Sequence, residues 1–268
     1  MMNISEAATH ETDFDDVIQE IKWEEICFQD ETQLNDIEYA KPYIVGTAVD
    51  YLSRMMITGD KNKAFRISLM FKLNPKYPPE SWVCHEADML FEHITGLDDS
   101  SIINACQLVC FDTLYRSGKK YSAFLSDYNY HSKLPYEYYI STVENIRIMV
   151  QRCIEYFKGC APVTGFCVHY KCLHGDGDYC TDTELCDLKV SKYKLHDEDH
   201  PENFLHHTKQ VLLYWYAGLH TEGLDFSKID TLSIFNPRLN MAWKMRVSQL
   251  PEDLPVDLDM FCWGECFC

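Results

Sequence analysis

The sequence has no long apolar run. None of its stretches approaches the roughly 20 apolar residues needed to cross a bilayer, so a membrane span is not expected. Its N-terminus, Met1 to Asp16, has neither a basic leader nor an apolar run, so a secretory signal is not expected. There is no internal repeat and no low-complexity linker, which argues against a repeat array or tethered modules. Cations are also scarce, with 24 Lys and Arg against 42 Asp and Glu, a net charge of −18. Phosphate-binding proteins normally show the reverse balance. The chain is expected to be cytoplasmic.

What is present is enough for a sizeable core. The 268 residues are 46% hydrophobic and 13% aromatic, which suits one domain, or one domain carrying an insertion. Thirteen cysteines without a signal segment read as reduced thiols rather than a disulfide framework. Cys106, Cys110 and Cys153 lie among apolar neighbours and read as small buried hydrophobes. The terminal cluster Cys262-Trp-Gly-Glu-Cys266-Phe-Cys268 stands apart from them.

Pattern along the chain divides it in five. Residues 1–14 read as a disordered acidic tail, 15–60 as a helical region, and 61–160 as a helical insertion. Residues 161–250 read as the α/β core, and 251–268 as a cysteine-rich tail. Helices are expected near 15–28, 44–58, 63–73, 84–96, 100–117 and 136–158. In the last of these Val143, Ile146, Met149, Val150, Cys153, Ile154 and Phe157 recur at helical spacing. From Val163 the pattern alternates, and strands alone are expected until a helix over His206–Leu219. Two more strands follow, at Thr231–Phe235 and Met241–Val247, joined by the turn Asn236-Pro-Arg-Leu-Asn.

The chemistry concentrates between Gly175 and Tyr214. Asp178 opens a strand ending near Thr181, a polar turn follows, and Glu184–Val190 returns. On the return strand Leu185, Asp187 and Lys189 share one face. Two carboxylates and a lysine at one hairpin suit phosphodiester hydrolysis. A hard divalent cation held by Asp178 and Asp187 neutralises phosphate and supplies a hydroxide-like nucleophile. Lys189 then positions or deprotonates the attacking water, or screens the phosphate. The Leu188 carbonyl is a further candidate ligand. Gln210 and Tyr214, one helical turn apart, form a polar pair able to hold a lysine or a phosphate. The alternative is a solvated strand face followed by an ordinary core helix. Lys192, Lys194 and Arg238 are candidate DNA contacts in an otherwise acidic chain.

These segments resemble the PD-(D/E)XK nuclease superfamily, and within it the RecB-like exonuclease branch. That branch includes lambda exonuclease and the CRISPR-associated RecB-like nucleases. Its Gly-x-x-Asp, (Asp/Glu)-x-Lys and Gln-x-x-x-Tyr motifs match Gly175-Asp-Gly-Asp178, Asp187-Leu-Lys189 and Gln210-Val-Leu-Leu-Tyr214. The resemblance implies a restriction-endonuclease-like αβββαβ core, a mixed sheet flanked by helices, with a large helical inserted region. It also implies Mg2+ or Mn2+ as cofactor and DNA as substrate. It places Asp50, in Gly46-Thr-Ala-Val-Asp50, as a third metal ligand, where the branch usually has His. His85, Glu86 and His93 are rival ligands. Some branch members hold a [4Fe-4S] cluster with one cysteine before the first motif and three near the C-terminus. Here those are Cys27, Cys262, Cys266 and Cys268, although the tail spacing differs from the usual pattern. A group of bacterial and phage proteins shares segments like 46–52, 187–192 and 236–240, so a bacterial or phage-infected cell is the expected setting. The −18 charge supports a second expectation. This is a catalytically silent acidic protein or DNA mimic on the same fold, with the acidic N-terminal region meeting a protein partner.

Overall fold

The computed structural model describes residues 2–10, 14–30, 32–116 and 121–264. The chain forms two compact units, one of Met1–Gln29 with Cys160–Cys268 and one of Asp30–Gly159. The first opens with β1 (Met2–Asn3), α1 (Ile4–Ala7), α2 (Asp15–Gln19) and β2 (Glu24–Cys27).

The second unit is helical: α3 (Pro42–Thr58), α4 (Lys61–Ala64), α5 (Arg66–Met70), α6 (Trp82–Glu92), α7 (Asp99–Leu108), α8 (Asp112–Arg116), α9 (Tyr121–Lys133) and α10 (Tyr136–Tyr156). Pro42 sits in the first turn of α3, where its missing N–H costs nothing, and Gly59 ends the helix in the left-handed region at φ 72°. The expected stripe on α10 is buried at Val143, Ile146, Met149, Val150 and Cys153, and packs against α3 and α7.

The chain then returns to the first unit with β3 (Val163–Tyr170), β4 (Leu173–Cys180), β5 (Glu184–Leu188), α11 (Glu202–Leu219), β6 (Thr231–Asn236), β7 (Met241–Arg246) and α12 (Leu254–Gly264). Seven strands make one mixed sheet in the order β1-β4-β5-β6-β7-β2, with β3 also on β4. β5 and β6 run parallel, with α11 as their crossover, while β3–β4, β4–β5, β6–β7 and β7–β2 are antiparallel. β3 covers one edge of β4 along its length. The other edge is shared: β1 pairs at Leu173 and His174, and β5 only at Tyr179 and Cys180. Between those pairings β4 and β5 diverge, and Asp178 sits at the start of the gap.

One hydrophobic core fills the first unit. Leu185, Leu232, Ile234 and Trp243 of the sheet meet Val211, Leu212, Tyr214 and Trp215 of α11, with Ile4, Ala7, Ile18 and Leu258 from α1, α2 and α12. The N-terminal residues therefore depart from the expected disordered tail. Ile4 and Ala7 have no exposed surface, Met2 N–H donates to Cys172 O at 2.8 Å, and Lys209 of α11 bonds His10 O and Asp15. Five apolar residues among the first eight, with no regular period, are too few to signal order. Burial against an element about 200 residues later supplies it. Ile4, Ala7 and Ala8 of the N-terminal segment are accordingly part of the core.

Three further expectations change. The helix expected over 15–28 ends at Gln19, and Glu24–Cys27 becomes an edge strand on β7, where charged side chains suit an exposed edge. The helix carrying Gly46 belongs to the second unit with the rest of 30–159, so the boundary at residue 60 disappears. α9, a polar helix with little apolar periodicity, had no counterpart in the sequence reading.

Ile4→Ala tests how far the N-terminal segment supports the first unit. The completely buried side chain predicts a loss of about 2–5 kcal/mol in denaturant unfolding. A frayed tail would lose almost nothing.

Candidate active site

The β4–β5 hairpin turns as its polar residues dictate. Thr181 N–H donates to Glu184 O at 2.8 Å, and Thr181 Oγ1 accepts from Glu184 N–H at 3.0 Å. β5 then takes its register from β6, with Leu185 opposite Leu232 and Asp187 opposite Ile234. Leu185, Leu232 and Ile234 all belong to the α11 core, so Asp187 points under α11 with them.

Where β4 and β5 part, a side chain replaces the ladder. Asp178 Oδ2 accepts from Leu188 N–H at 2.8 Å. A strand residue's N–H and C=O share an edge, so the Leu188 carbonyl also faces the Asp178 side. Lys189 N–H goes the other way, to Phe235 O at 2.9 Å.

Asp187 is only 4% exposed. Its Oδ2 lies 2.8 Å from Lys189 Nζ, close enough for an ion pair, yet that oxygen is fully buried and accepts no aligned hydrogen bond. The Lys189 ammonium instead donates to Gln210 Oε1 at 2.8 Å. Burial pushes the Asp187 carboxyl well above the usual carboxylate range. Lys189 opposes that shift and the neighbouring Asp178 adds to it. Burial also raises the Tyr214 phenol, and Asp178 and Asp187 raise it further.

The helix side of the site is built by α11. Gln210 Nε2 donates to Ser5 Oγ at 2.8 Å, and Tyr214 packs over Gly175. A Cβ at Gly175 would lie 2.7 Å from the Tyr214 ring and 3.2 Å from Ile4 Cβ, so the strand can approach the helix only through glycine there. His206 and His207, also on α11, are held neutral by burial and by the Lys189 charge, His207 down to about 2. Ser5, His206 and His207 had no place in the sequence reading. Ser5 precedes its partner by 205 positions, and no local pattern signals such a pairing.

The first unit thus brings together Asp178, Asp187, Leu188, Lys189, Gln210 and Tyr214. Lys192 and Lys194 follow on the loop after β5. The Asn236 side chain ties the β6–β7 turn, which carries Arg238, to Ser191 O at 2.9 Å. These cations therefore lie at the carboxyl end of the parallel pair, where open α/β sheets bind ligands. Lys192 is exposed, Lys194 pairs with Glu25 at 3.1 Å, and Arg238 is half-buried. The polar cavity of about 740 Å³ lined by Glu184, Thr231, Lys244 and Arg246 is at the opposite end of β5 and β6.

Other candidates belong to other elements. Asp50 lies on α3 in the second unit, and Arg54 one turn on engages both its oxygens, at 2.8 and 2.6 Å. Of its rivals on α6, Glu86 accepts from Tyr128 Oη at 2.5 Å, His93 Nδ1 bonds Met89 O at 2.6 Å, and His85 is exposed. Of the four candidate cluster cysteines, the two described ones do not come together. Cys27 ends β2 at one edge of the sheet, whereas buried Cys262 lies beside Cys172 next to β4. Four strand spacings, about 19 Å, separate β4 from β2, too far for ligands of one cluster. Cys266 and Cys268 lie outside the described residues. Among the described residues no three His, Cys, Asp or Glu converge as a metal-binding group. Asp178 and Asp187 are the pair the hairpin supplies.

Comparison with protein-family models, with curated proteins and with solved structures finds no match to this chain. No helix among the described residues is long and apolar enough to cross a membrane.

The raised carboxyl of Asp187 gives a signed expectation. An acid whose folded pKa exceeds its unfolded value favours the fold fully below the unfolded pKa. That advantage is lost as pH rises to the folded value. Without divalent cations, Asp187→Asn should therefore raise the melting temperature by a few degrees at pH 8 and by less at pH 4. Equal effects at both pH values would contradict the buried, charge-strained carboxylate.

Proposed function

We propose that the chain hydrolyses phosphodiester bonds of DNA with Mg2+ or Mn2+, on a restriction-endonuclease-like core. One observation carries this reading. Asp187 keeps a carboxylate oxygen buried, beside Asp178 and Lys189, with no aligned hydrogen-bond donor. A buried carboxylate with a second carboxylate beside it is costly even with Lys189 at 2.8 Å, and a further cation would offset that cost. The β3–β4–β5 antiparallel run, crossover α11 and parallel β6 follow one another in βββαβ order, which supports this reading.

Asp178, Asp187 and the Leu188 carbonyl are the groups that would hold the cation. Two protein carboxylates suit Mg2+, which keeps several waters and meets the phosphate directly. When bound, the cation supplies Lewis acidity and an acidified water. The chain's residues do the rest. Gln210 holds the Lys189 ammonium at the hairpin, where it orients the attacking water and offsets charge on the phosphate. Tyr214 and Gly175 close α11 onto β4 and fix the distance between the helix and the carboxylates. Lys192 and Arg238 meet the nucleic-acid backbone.

The charge distribution favours a second reading. Residues 30–159 hold 17 acidic and 14 basic side chains, so the first unit carries nearly all of the net −18. An acidic surface of that kind suits a protein partner that normally binds DNA.

The two readings separate in one assay. Linear and circular DNA are incubated with the protein and Mg2+ or Mn2+, beside Lys189→Ala and Asp187→Asn. The nuclease reading expects cleavage by the wild type and a loss of at least about 100-fold in each variant. Wild type as silent as the variants on every DNA and RNA form sinks it and leaves the mimic.

A further inference from the structure

We infer that Ser5 is a positioning residue that orients Gln210 and, through it, the Lys189 ammonium. The rate effect expected below rests on the nuclease reading, whereas the orientation itself does not.

Hydrogen-bond direction sets the orientation of the Gln210 amide. An ammonium only donates, so Lys189 requires an acceptor, and Gln210 Oε1 at 2.8 Å provides it. An amide turned the other way presents NH2 to NH3+, which is repulsive. What selects the productive turn is the partner of the other end. Gln210 Nε2 donates to Ser5 Oγ at 2.8 Å. A serine hydroxyl oxygen has lone pairs to accept with, so Ser5 Oγ suits the donor end of the Gln210 amide. Gln210 is only 5% exposed, so water is a poor substitute for either partner.

Ser5 is held for this role by contacts unrelated to the site. Ser5 N–H donates to Asn3 Oδ1 at 2.9 Å, β1 pairs with Leu173 and His174, and Ile4 lies within the core. Lys209, next to Gln210 on α11, ties the same N-terminal segment through His10 O and Asp15. Lys209 thus reports whether the segment as a whole has loosened.

The experiment compares the full-length protein with Ser5→Ala and Ser5→Thr. Lysines are labelled by formaldehyde and borohydride, and the rates at Lys189 and Lys209 are read by peptide mass spectrometry. The expected result is labelling of Lys189 several-fold faster in Ser5→Ala, a near wild-type rate in Ser5→Thr, and Lys209 unchanged throughout. Unchanged Lys189 labelling in Ser5→Ala, or Lys209 accelerating in step with it, overturns the inference. Where the wild type cleaves DNA, kcat in Ser5→Ala should fall about 10- to 100-fold with KM for DNA unchanged, and Ser5→Thr should restore it. A loss that Ser5→Thr does not restore also overturns it. A wild type that cleaves nothing removes the nuclease reading, while the labelling still decides the role of Ser5.

Discussion

A carboxylate and an ammonium sharing a buried space beneath α11 set the terms for the rest of the first unit. Asp187 is driven there by register, because Leu185 and Asp187 alternate with Cys186 and Leu188 and the apolar member must face the core. Once buried, the charge needs partners. Lys189 supplies one, Gln210 holds Lys189, and Ser5 holds Gln210. Each step moves further from the hairpin and recruits another element, until the N-terminal residues join the wall of the site.

Sheet geometry explains why the charges meet where they do. A fully paired β4–β5 ladder would satisfy Leu188 N–H with a backbone carbonyl. The two strands pair only at Tyr179 and Cys180, and the Asp178 side chain takes that N–H instead. The divergence falls at the carboxyl end of β5. The Asn236 bond to Ser191 O brings the β6–β7 turn to the same end. Carboxylates, lysine and nearby cations thus gather without any one of them leaving a regular element or its adjoining loop.

What the sequence made legible was local. Strand alternation from Val163 and helical recurrence from His206 located β3 and α11 within a few residues. Two-residue spacing put Asp187 and Lys189 on one face, because strand periodicity leaves no other choice. Long-range pairing was not legible. Nothing near Glu24 signals that it lies opposite Lys244, and nothing near Ser5 signals Gln210. The insertion of residues 30–159 between β2 and β3 hides both relations, since it separates elements of one sheet by a complete helical unit. Asp50 is a different case. Its short motif suggested a ligand, but Arg54 four residues on gives the carboxylate an ordinary helical ion pair.

The net charge and the buried site make different demands, and the difference bears on function. A protein that acts by offering carboxylates to a partner must keep them exposed, because recognition works through surface potential. Asp187 contributes nothing to such a surface at 4% exposure, yet its burial raises the cost of its ionised form. A neutral side chain of similar volume would pack there without that cost. The acidic surface is therefore compatible with either reading, whereas the interior carboxylate favours the one in which a cation is bound. A cation that approaches from the Asp178 side offsets the charge that Lys189 leaves partly unmatched. On the proposed nuclease reading, that requirement would tie the stability of the first unit to the ion its chemistry would use.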